Sequence, residues 1–302
     1  MIKKKAMLIV TIIVGLFITG CSSNDNKEFV VSFDGSIDHV HGIGYVGNDN
    51  GLYVATHTGL KIYRDGKWSE TTRKLNDYMG FNAVDKGFYT SGHPGEDSDL
   101  PNPIGIQRSF DGGRTLESVK FEGETDFHGM AVGYKSHDIF LMNPEKNSEL
   151  EQGFYNSTDG GESWESVEAQ GLDGDLFALA IHPSNSNLVA AATTTGVYLS
   201  TDGGAAFKLI TDKAQGTAVF FNEDNLFYAS YNTAPSLVKY TTKNGEQEEL
   251  KLPDLIEDGP VFIAQNPKNN QQFAIYTTKN QAFLSNDNMN SWDQIIVNGK
   301  VH

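Results

Sequence analysis

The chain has little of what several common site chemistries require. Its 302 residues include one cysteine, Cys21, and Lys and Arg together number only 23 against 39 Asp and Glu. A single cysteine excludes a disulfide within the chain and any metal site built from several thiolates. The formal charge of −16 repels nucleic acid and anionic lipid headgroups. We therefore expect no nucleic-acid partner and no basic patch for membrane attachment.

Long apolar runs are also scarce, and the clearest one lies near the N-terminus, over residues 6–18, directly after three lysines. A charged segment followed by a short apolar run is typical of a secretory signal peptide. The run is short for a transmembrane helix, which needs about twenty residues. The prediction is therefore export from the cytoplasm, with an uncleaved anchor helix as the alternative.

The apolar run ends in the residues I-T-G-C, which close at Cys21. This ending resembles the bacterial lipobox, a family motif in which the cysteine is acylated and becomes the mature N-terminus. The resemblance implies a lipoprotein signal peptide over residues 1–20, lipidation of Cys21 and a polar lipidated tether over residues 21–30. It also implies a protein held by lipid at the extracytoplasmic face of the cell membrane.

An eight-residue pattern, S-x-D-x-G-x-x-W or a close variant, recurs along the rest of the chain. Its copies start at Ser109, Ser157, Ser200 and, in a degenerate form, Ser285. Asp and Ser side chains can accept backbone N–H groups within a tight turn, and glycine supplies the positive φ. The pattern resembles the Asp-box (BNR) repeat of sialidases, sortilin-type receptors and related β-propellers. That resemblance implies a structural role for the box aspartates Asp111, Asp159, Asp202 and Asp287.

The spacing of the boxes predicts the number of blades. Successive starts are 48, 43 and 85 residues apart, so the last interval is close to two periods. A degenerate copy fits residues 241–245, and another fits residues 63–68 upstream. Six repeats of this length, with apolar strand-like runs before each box, predict an all-β, six-bladed β-propeller over residues 31–302.

Histidine placement is the best clue to function. Each propeller blade has four strands, here lettered A to D in chain order. The loops that enter strand A and those that join strands B and C lie on one face, here called the top. The alignment of repeats places five histidines and one methionine at the top ends of blades 1 to 3. These are His39, His41, His57, Met79, His93 and His128. Blades 4 to 6 carry nothing comparable.

This top rim has the composition of a transition-metal site. Imidazole suits zinc and copper, and a thioether adds a preference for Cu(I), so copper and zinc are the candidate ions. His39 and His41, two residues apart on a strand, are expected to point the same way. Asp38, Asp77 and Asp126 lie beside the histidines and are expected to orient the imidazoles by hydrogen bonds. The same histidines could instead bind a small polar ligand or act as an acid–base pair. They could also have a purely structural role, in which they form the hydrogen bonds that buried strand ends require.

The resemblance to propeller families leaves two other functions open. A sialidase site in that family needs three arginines around the substrate carboxylate, and only Arg73 of the four arginines here maps near the top. Sialidase chemistry is therefore excluded, whereas another glycan-acting hydrolase using rim carboxylates remains an alternative. A sortilin-like platform that docks another envelope protein is the third. The favoured prediction is a membrane-anchored metal-binding module, with catalysis unassigned.

Overall fold

In the computed structural model, residues 28–211 and 213–302 are described, and their regular structure is entirely β. Twenty-six strands form six antiparallel sheets, which are the six blades of a propeller. Within these ranges no helix has the length and apolar character needed to cross a bilayer. The predicted signal peptide and residues 21–27 of the predicted tether, including Cys21, lie outside the described residues. The predicted fold class is thus confirmed.

The first three blades are built from thirteen strands. Blade 1 contains β1 (Val30–Ser32), β2 (Val40–Tyr45), β3 (Leu52–Thr56), β4 (Gly59–Arg64) and β5 (Lys67–Thr71). Blade 2 contains β6 (Asp77–Val84), β7 (Gly87–His93), β8 (Ile106–Ser109) and β9 (Glu117–Lys120). Blade 3 contains β10 (Met130–Val132), β11 (Ile139–Asn143), β12 (Gly153–Ser157) and β13 (Glu165–Val167).

The remaining three blades repeat the same up-and-down order. Blade 4 contains β14 (Leu176–His182), β15 (Asn185–Thr193), β16 (Gly196–Ser200) and β17 (Lys208–Leu209). Blade 5 contains β18 (Gln215–Phe221), β19 (Asn225–Tyr231), β20 (Pro235–Thr241) and β21 (Gln247–Glu249). Blade 6 contains β22 (Pro260–Asn266), β23 (Asn269–Thr277), β24 (Ala282–Ser285), β25 (Asp293–Val297) and β26 (Lys300–Val301).

Each blade packs on the next through apolar side chains, so its middle strands are covered on both faces. All five residues of β3 and all five of β16 are buried, which explains why their sequences run apolar without alternation. The innermost strands β2, β6, β10, β14, β18 and β22 contact their neighbours in a closed ring. This ring surrounds a central channel and brings the starts of all six blades to one rim.

The two ends of the propeller are joined near the first blade. The Ile37 N–H donates to the Gly299 carbonyl at 2.7 Å, and Val30 pairs with Thr71 across β1 and β5. Phe29 is buried, with the Arg114 guanidinium 4.8 Å from its ring centroid. Residues 29 and 30, which the sequence analysis assigned to the tether, therefore pack as part of blade 1. The physical reason is that Phe29 is apolar and gains more from burial against blade 1 than from exposure in a tether.

The four Ser-Asp boxes lie in equivalent turns between the third and fourth strands of their blades. In the first, Ser109 Oγ donates to Asp111 Oδ1 at 3.0 Å and accepts the Gly113 N–H at 2.8 Å. Asp111 also accepts the Thr115 N–H at 2.9 Å. The turns at Asp159, Asp202 and Asp287 repeat this arrangement. The degenerate copies at residues 63–68 and 241–245 occupy the same turn in blades 1 and 5.

Burial of the aromatic residue that ends a box copy varies between blades. Trp68 and Phe207 are buried, at 5% and 7% exposure. Trp164 and Trp292 only pack against their cores with part of the ring exposed. The ring is therefore fully buried in some blades and only partly buried in others.

Candidate metal centre

The predicted rim residues lie at strand ends on the face opposite the box turns. His41 lies in β2, Asp77 begins β6, and His93 ends β7. His57 occupies the turn between β3 and β4, and His128 precedes β10. Each position is an entry to the first strand of a blade or a connection between its second and third strands. The structure divides these residues into two clusters.

The first rim cluster consists of His41, His57 and Asp77. His41 Nε2 lies 3.4 Å from His57 Nδ1 and 3.5 Å from Asp77 Oδ1. His57 Nδ1 lies 2.8 Å from Asp77 Oδ2. One ligating atom from each residue falls within 4.8 Å of the others. Metal–nitrogen bonds of about 2.0–2.1 Å place tetrahedral ligands about 3.3 Å apart, so two of these separations already match a bound ion.

A β-bulge and a close approach between blades set the position of His41. The register steps from Val40 opposite Thr56 to Gly42 opposite Ala55, which leaves His41 as the extra residue. Bulges of this kind redirect a side chain and are frequent beside functional sites. A Cβ on Gly42 would lie 2.9 Å from the Cβ of Phe81, so glycine lets the first strands of blades 1 and 2 approach.

The bulge changes the expected relation between His39 and His41. His39 precedes β2 and His41 is the bulged residue, so simple strand alternation does not relate them. Both rings nevertheless contact His57, with centroid distances of 5.0 Å for His39 and 4.4 Å for His41. His39 is exposed and lies beside the first rim cluster as an adjoining imidazole.

Asp77 lies closer to the facing imidazole nitrogens of His41 and His57 than an orienting residue would. Its carboxylate lies among the imidazole nitrogens and offers its own oxygen to the shared point. The Oδ1 atom is buried and lacks a hydrogen-bond partner within the described part of the chain. A buried carboxylate oxygen without a donor is unusual and calls for a ligand such as a cation or water. Asp77 therefore has the geometry of a direct ligand.

The second rim cluster consists of His93, Asp126 and His128. Asp126 Oδ2 lies 2.6 Å from His128 Nε2 and 3.3 Å from His93 Nε2. The other imidazole nitrogen of His93 donates to Asn102 Oδ1 at 2.7 Å. Asp126 Oδ1 is buried and has no hydrogen-bond partner among the described residues.

The two histidines nearest the channel differ in charge preference. Burial lowers the pKa of His41, and the neighbouring imidazoles of His57, His128 and His39 lower it further against the opposing effect of Asp77. The hydrogen bond with Asp126 raises the pKa of His128. His41 is thus held neutral, with a lone pair available for a metal, whereas His128 favours a proton or another cation beside Asp126.

Besides His39, two predicted residues are not part of either cluster. Met79 is buried in β6 at 8% exposure and contributes to neither group of ligating atoms. Asp38 is exposed, and its Oδ1 lies beside Gly299 at the closure of the ring. The candidate donors are consequently nitrogen and oxygen, without the thioether that the sequence analysis included.

The rim clusters open on the central channel. A cavity of about 620 Å³ follows the innermost strands of all six blades, and His41 and His128 belong to its wall. The rest of the wall is mixed in character, with apolar residues such as Ile43 and Phe81 beside polar ones such as Asn82. An ion at the first rim cluster would therefore have a protein wall on one side and solvent access on the other.

Asn102 is the site residue that sequence reasoning missed. It belongs to the long connection between β7 and β8, over residues 94–105. Asp97 in that connection accepts the N–H groups of Lys74 and Leu75 at 2.9 and 3.2 Å. This anchoring brings Asn102 against His93. The position of this connection on the histidine-bearing face is the signal from which Asn102 could have been found in the sequence.

Comparison with known proteins supports the propeller and leaves the activity open. A family model described as sortilin, neurotensin receptor 3, matches residues 105–253. No curated protein matches the chain.

Solved structures of similar fold include the GH74 enzyme of Niastella koreensis, with 16% identity and a TM-score of 0.56 over 89% of this chain and 47% of that one. The GH74 xyloglucanase of Xanthomonas campestris has 16% identity and a TM-score of 0.56, over 88% of this chain and 46% of that one. The structure described as YCF48 bound to D1 peptide has 14% identity and a TM-score of 0.50, over 89% of this chain and 86% of that one. The chain spans under half the length of the two GH74 enzymes, and identities this low show the fold alone.

Proposed function

We propose that this protein is a lipid-anchored, extracytoplasmic propeller that binds a transition-metal ion at the first rim cluster. The observation that carries the proposal is the convergence of ligating atoms from His41, His57 and Asp77 within 4.8 Å of one another. The three residues come from three separate stretches of chain and two blades. Burial also keeps His41 neutral, as a metal ligand must be.

The donor set favours zinc or Cu(II) over Cu(I). Two imidazoles and a carboxylate suit borderline ions, while Cu(I) prefers thiolate and thioether sulfur. Closed structural zinc sites use four protein ligands, and three leave one position open for water or an exchanging ligand. An open position at the mouth of a channel fits reversible capture or delivery of the ion better than a purely structural role.

Lipid attachment supplies the proposed location. The I-T-G-C ending resembles a lipobox, and loss of the three leader lysines takes the formal charge from −16 to −19. So acidic a protein gains nothing from anionic headgroups, so acyl chains would have to provide the anchor. Cys21→Ala should abolish labelling by a radioactive fatty acid and leave an unprocessed precursor or a released protein. Equal labelling of the variant would contradict the anchor.

Elemental analysis tests the metal proposal. The protein, purified without a polyhistidine tag, is exposed to Cu, Zn, Ni and Mn and then passed over a desalting column. Wild type should retain zinc or copper, and His41→Ala and His57→Ala should retain less. His137→Ala is the control, because His137 contacts Asp85 on the opposite face. Equal retention by wild type and both rim variants would contradict the proposal.

A docking platform is the second candidate, and exposed apolar side chains on the top face favour it. Phe177 is 51% exposed at the start of β14, and Ile256 is 82% exposed in the connection before β22. The sortilin family match covers blades 3 to 5 and part of blade 2, which include Phe177. Phe177→Ser with Ile256→Ser should remove a cross-link to an envelope protein in intact cells. An unchanged cross-link would count against docking at this face.

A glycan-acting hydrolase remains the weakest candidate. The rim offers Asp77 and Asp126, but each lies against imidazoles instead of facing an open sugar-binding groove. The GH74 likeness concerns the fold. Loss of polysaccharide cleavage on Asp77→Asn would be needed to revive it.

A further inference from the structure

The second rim cluster repeats a feature of the first, one blade further around the ring. In the first, His57 follows the second strand of blade 1 and contacts Asp77 at the start of blade 2, at 2.8 Å. In the second, His93 ends the second strand of blade 2 and contacts Asp126 before the first strand of blade 3, at 3.3 Å. The same pair of residue types thus occupies equivalent places in successive blades.

Each pair also gains one further imidazole, so the two clusters have the same composition. His41 joins the first cluster from the innermost strand of blade 1. His128 joins the second from the connection that carries Asp126. In both clusters one oxygen of the aspartate is buried without a hydrogen-bond donor among the described residues. Two imidazoles and an undersatisfied carboxylate form the potential donor set in each case.

The hydrogen bond between His93 and Asn102 leaves Nε2 of His93, an acceptor, facing a carboxylate oxygen of Asp126, which is also an acceptor. Asn102 Oδ1 can only accept, so the proton of a neutral His93 lies on Nδ1. Its Nε2 then carries a lone pair, which lies 3.3 Å from a carboxylate oxygen of Asp126. That arrangement is repulsive unless a proton or a metal ion lies between the two atoms. The separation equals the spacing of about 3.3 Å expected for two tetrahedral ligands on one ion.

We propose that His93, Asp126 and His128 form a second metal site, which takes a zinc or Cu(II) ion in addition to the one at the first rim cluster. His93 Nε2 and Asp126 Oδ2 supply the two preset ligands. His128 is 65% exposed at its side chain, so its ring is free to turn from the hydrogen bond and present a nitrogen to the ion. Asn102 is a positioning residue, because it fixes the tautomer that leaves Nε2 of His93 unprotonated. The choice of ion rests on the proposed function.

The two sites should fill in order. The charge of His128 lowers the pKa of His41, and the charge of Asp77 raises the pKa of His128. The two clusters are therefore close enough to interact electrostatically. The first ion therefore disfavours the second. The first cluster has three ligating atoms already convergent, whereas His128 must move in the second. We expect the first rim cluster to bind more tightly.

Ion stoichiometry tests the proposal with variants at matched positions. Zinc is titrated into the full-length protein without a polyhistidine tag, and bound ions are counted by native mass spectrometry. Wild type should bind two, and Asp77→Asn and Asp126→Asn one each. The double variant should bind none. Asp175→Asn, at the corresponding start of blade 4 and exposed to solvent, is the control and should bind two.

The outcomes separate this inference from the proposed function. One ion in wild type that is lost in Asp77→Asn and kept in Asp126→Asn would overturn the second site and leave the first standing. No ion in wild type would overturn both. Two ions in Asp126→Asn would place any second ion elsewhere and overturn the assignment.

Asn102→Ala provides a test that keeps all the proposed ligands. It should lower the affinity for the second zinc ion about 10–100-fold, as loss of a supporting hydrogen bond to a ligand usually does. The affinity for the first ion should be unchanged. It also replaces Asp126→Asn as the test should that variant fail to fold. Equal affinity for the second ion in wild type and Asn102→Ala would refute the positioning role.

Discussion

His41→Ala should remove most of the thermal stabilisation that zinc gives at the first rim cluster. The imidazole is 19% exposed, and its Nε2 completes the group formed with His57 and Asp77. Alanine removes this ligand and leaves one imidazole and one carboxylate, which are too few to hold the ion firmly. The substitution lies in a bulge with part of the ring in solvent, so the metal-free fold should change little.

Mass action gives the size of the effect. Zinc at 100 times its dissociation constant stabilises the folded state by about 2.7 kcal/mol. For a chain of this length, 1 kcal/mol corresponds to roughly 2 °C in Tm, so the predicted rise is about 5 °C. Loss of a direct ligand should weaken binding at least about 100-fold, beyond the upper range for supporting residues. At the same zinc concentration the rise should then fall to about 1 °C.

Differential scanning calorimetry of both proteins, with zinc and with a chelator, measures this difference. Any ion at the second rim cluster contributes to both proteins, so the gap between them isolates the first cluster. The zinc-dependent rise should fade as the pH falls through about 6, because protonated imidazole cannot bind metal. An equal rise for wild type and His41→Ala would refute the reasoning, provided that both melt alike in chelator.

Three further predictions concern the fold. Trp68→Ala should cost about 3–5 kcal/mol in urea unfolding because the ring is buried at 5% exposure, whereas Trp164→Ala should cost visibly less because its ring is partly exposed. Equal losses would contradict this order. Asp258→Ala should cost about 3 kcal/mol by the same measurement, since the buried carboxylate accepts hydrogen bonds from Thr277, Thr278, Gln281 and two backbone N–H groups. A loss under 1 kcal/mol would show that water replaces them. Hydrogen bonds from Ser291 lower the pKa of Asp287 to about 2, below its value of about 3.9 in an unfolded chain. Its contribution is therefore present above pH 4 and lost toward pH 2, and the Tm gap between wild type and Asp287→Asn should close over that range; a constant gap would assign the effect to something other than charge.

Local sequence was enough to predict the blades. A box turn is determined by a few adjacent residues, because Ser, Asp and Gly satisfy and shape the same short loop. Four visible copies at a fixed period gave the phase, and that phase placed two degenerate copies and the top ends of the strands. Met289 shows how far the local rule holds, since it adopts the left-handed φ of 65° at a position where the other boxes have glycine.

The sequence also indicated which blades carry the site, but not how its residues combine. Equivalent strand ends share a rim in any propeller, so His41, His57, His93 and His128 could be assigned to one face. Their division into two clusters depends on a bulge at His41 and on the anchoring of the connection that carries Asn102. Neither feature follows a repeat period.

The composition and period of this sequence by themselves determined an all-β ring of six blades, with histidines gathered at the top of three. Tertiary structure alone decided that Asp77 points among the imidazoles, that Met79 is buried in β6, and that Asp38 lies at the ring closure. The physical reason is one of scale. A turn is stabilised by neighbours in sequence, whereas ligating atoms must agree to within about 1 Å across different blades. Only the packing of blade against blade sets distances of that kind.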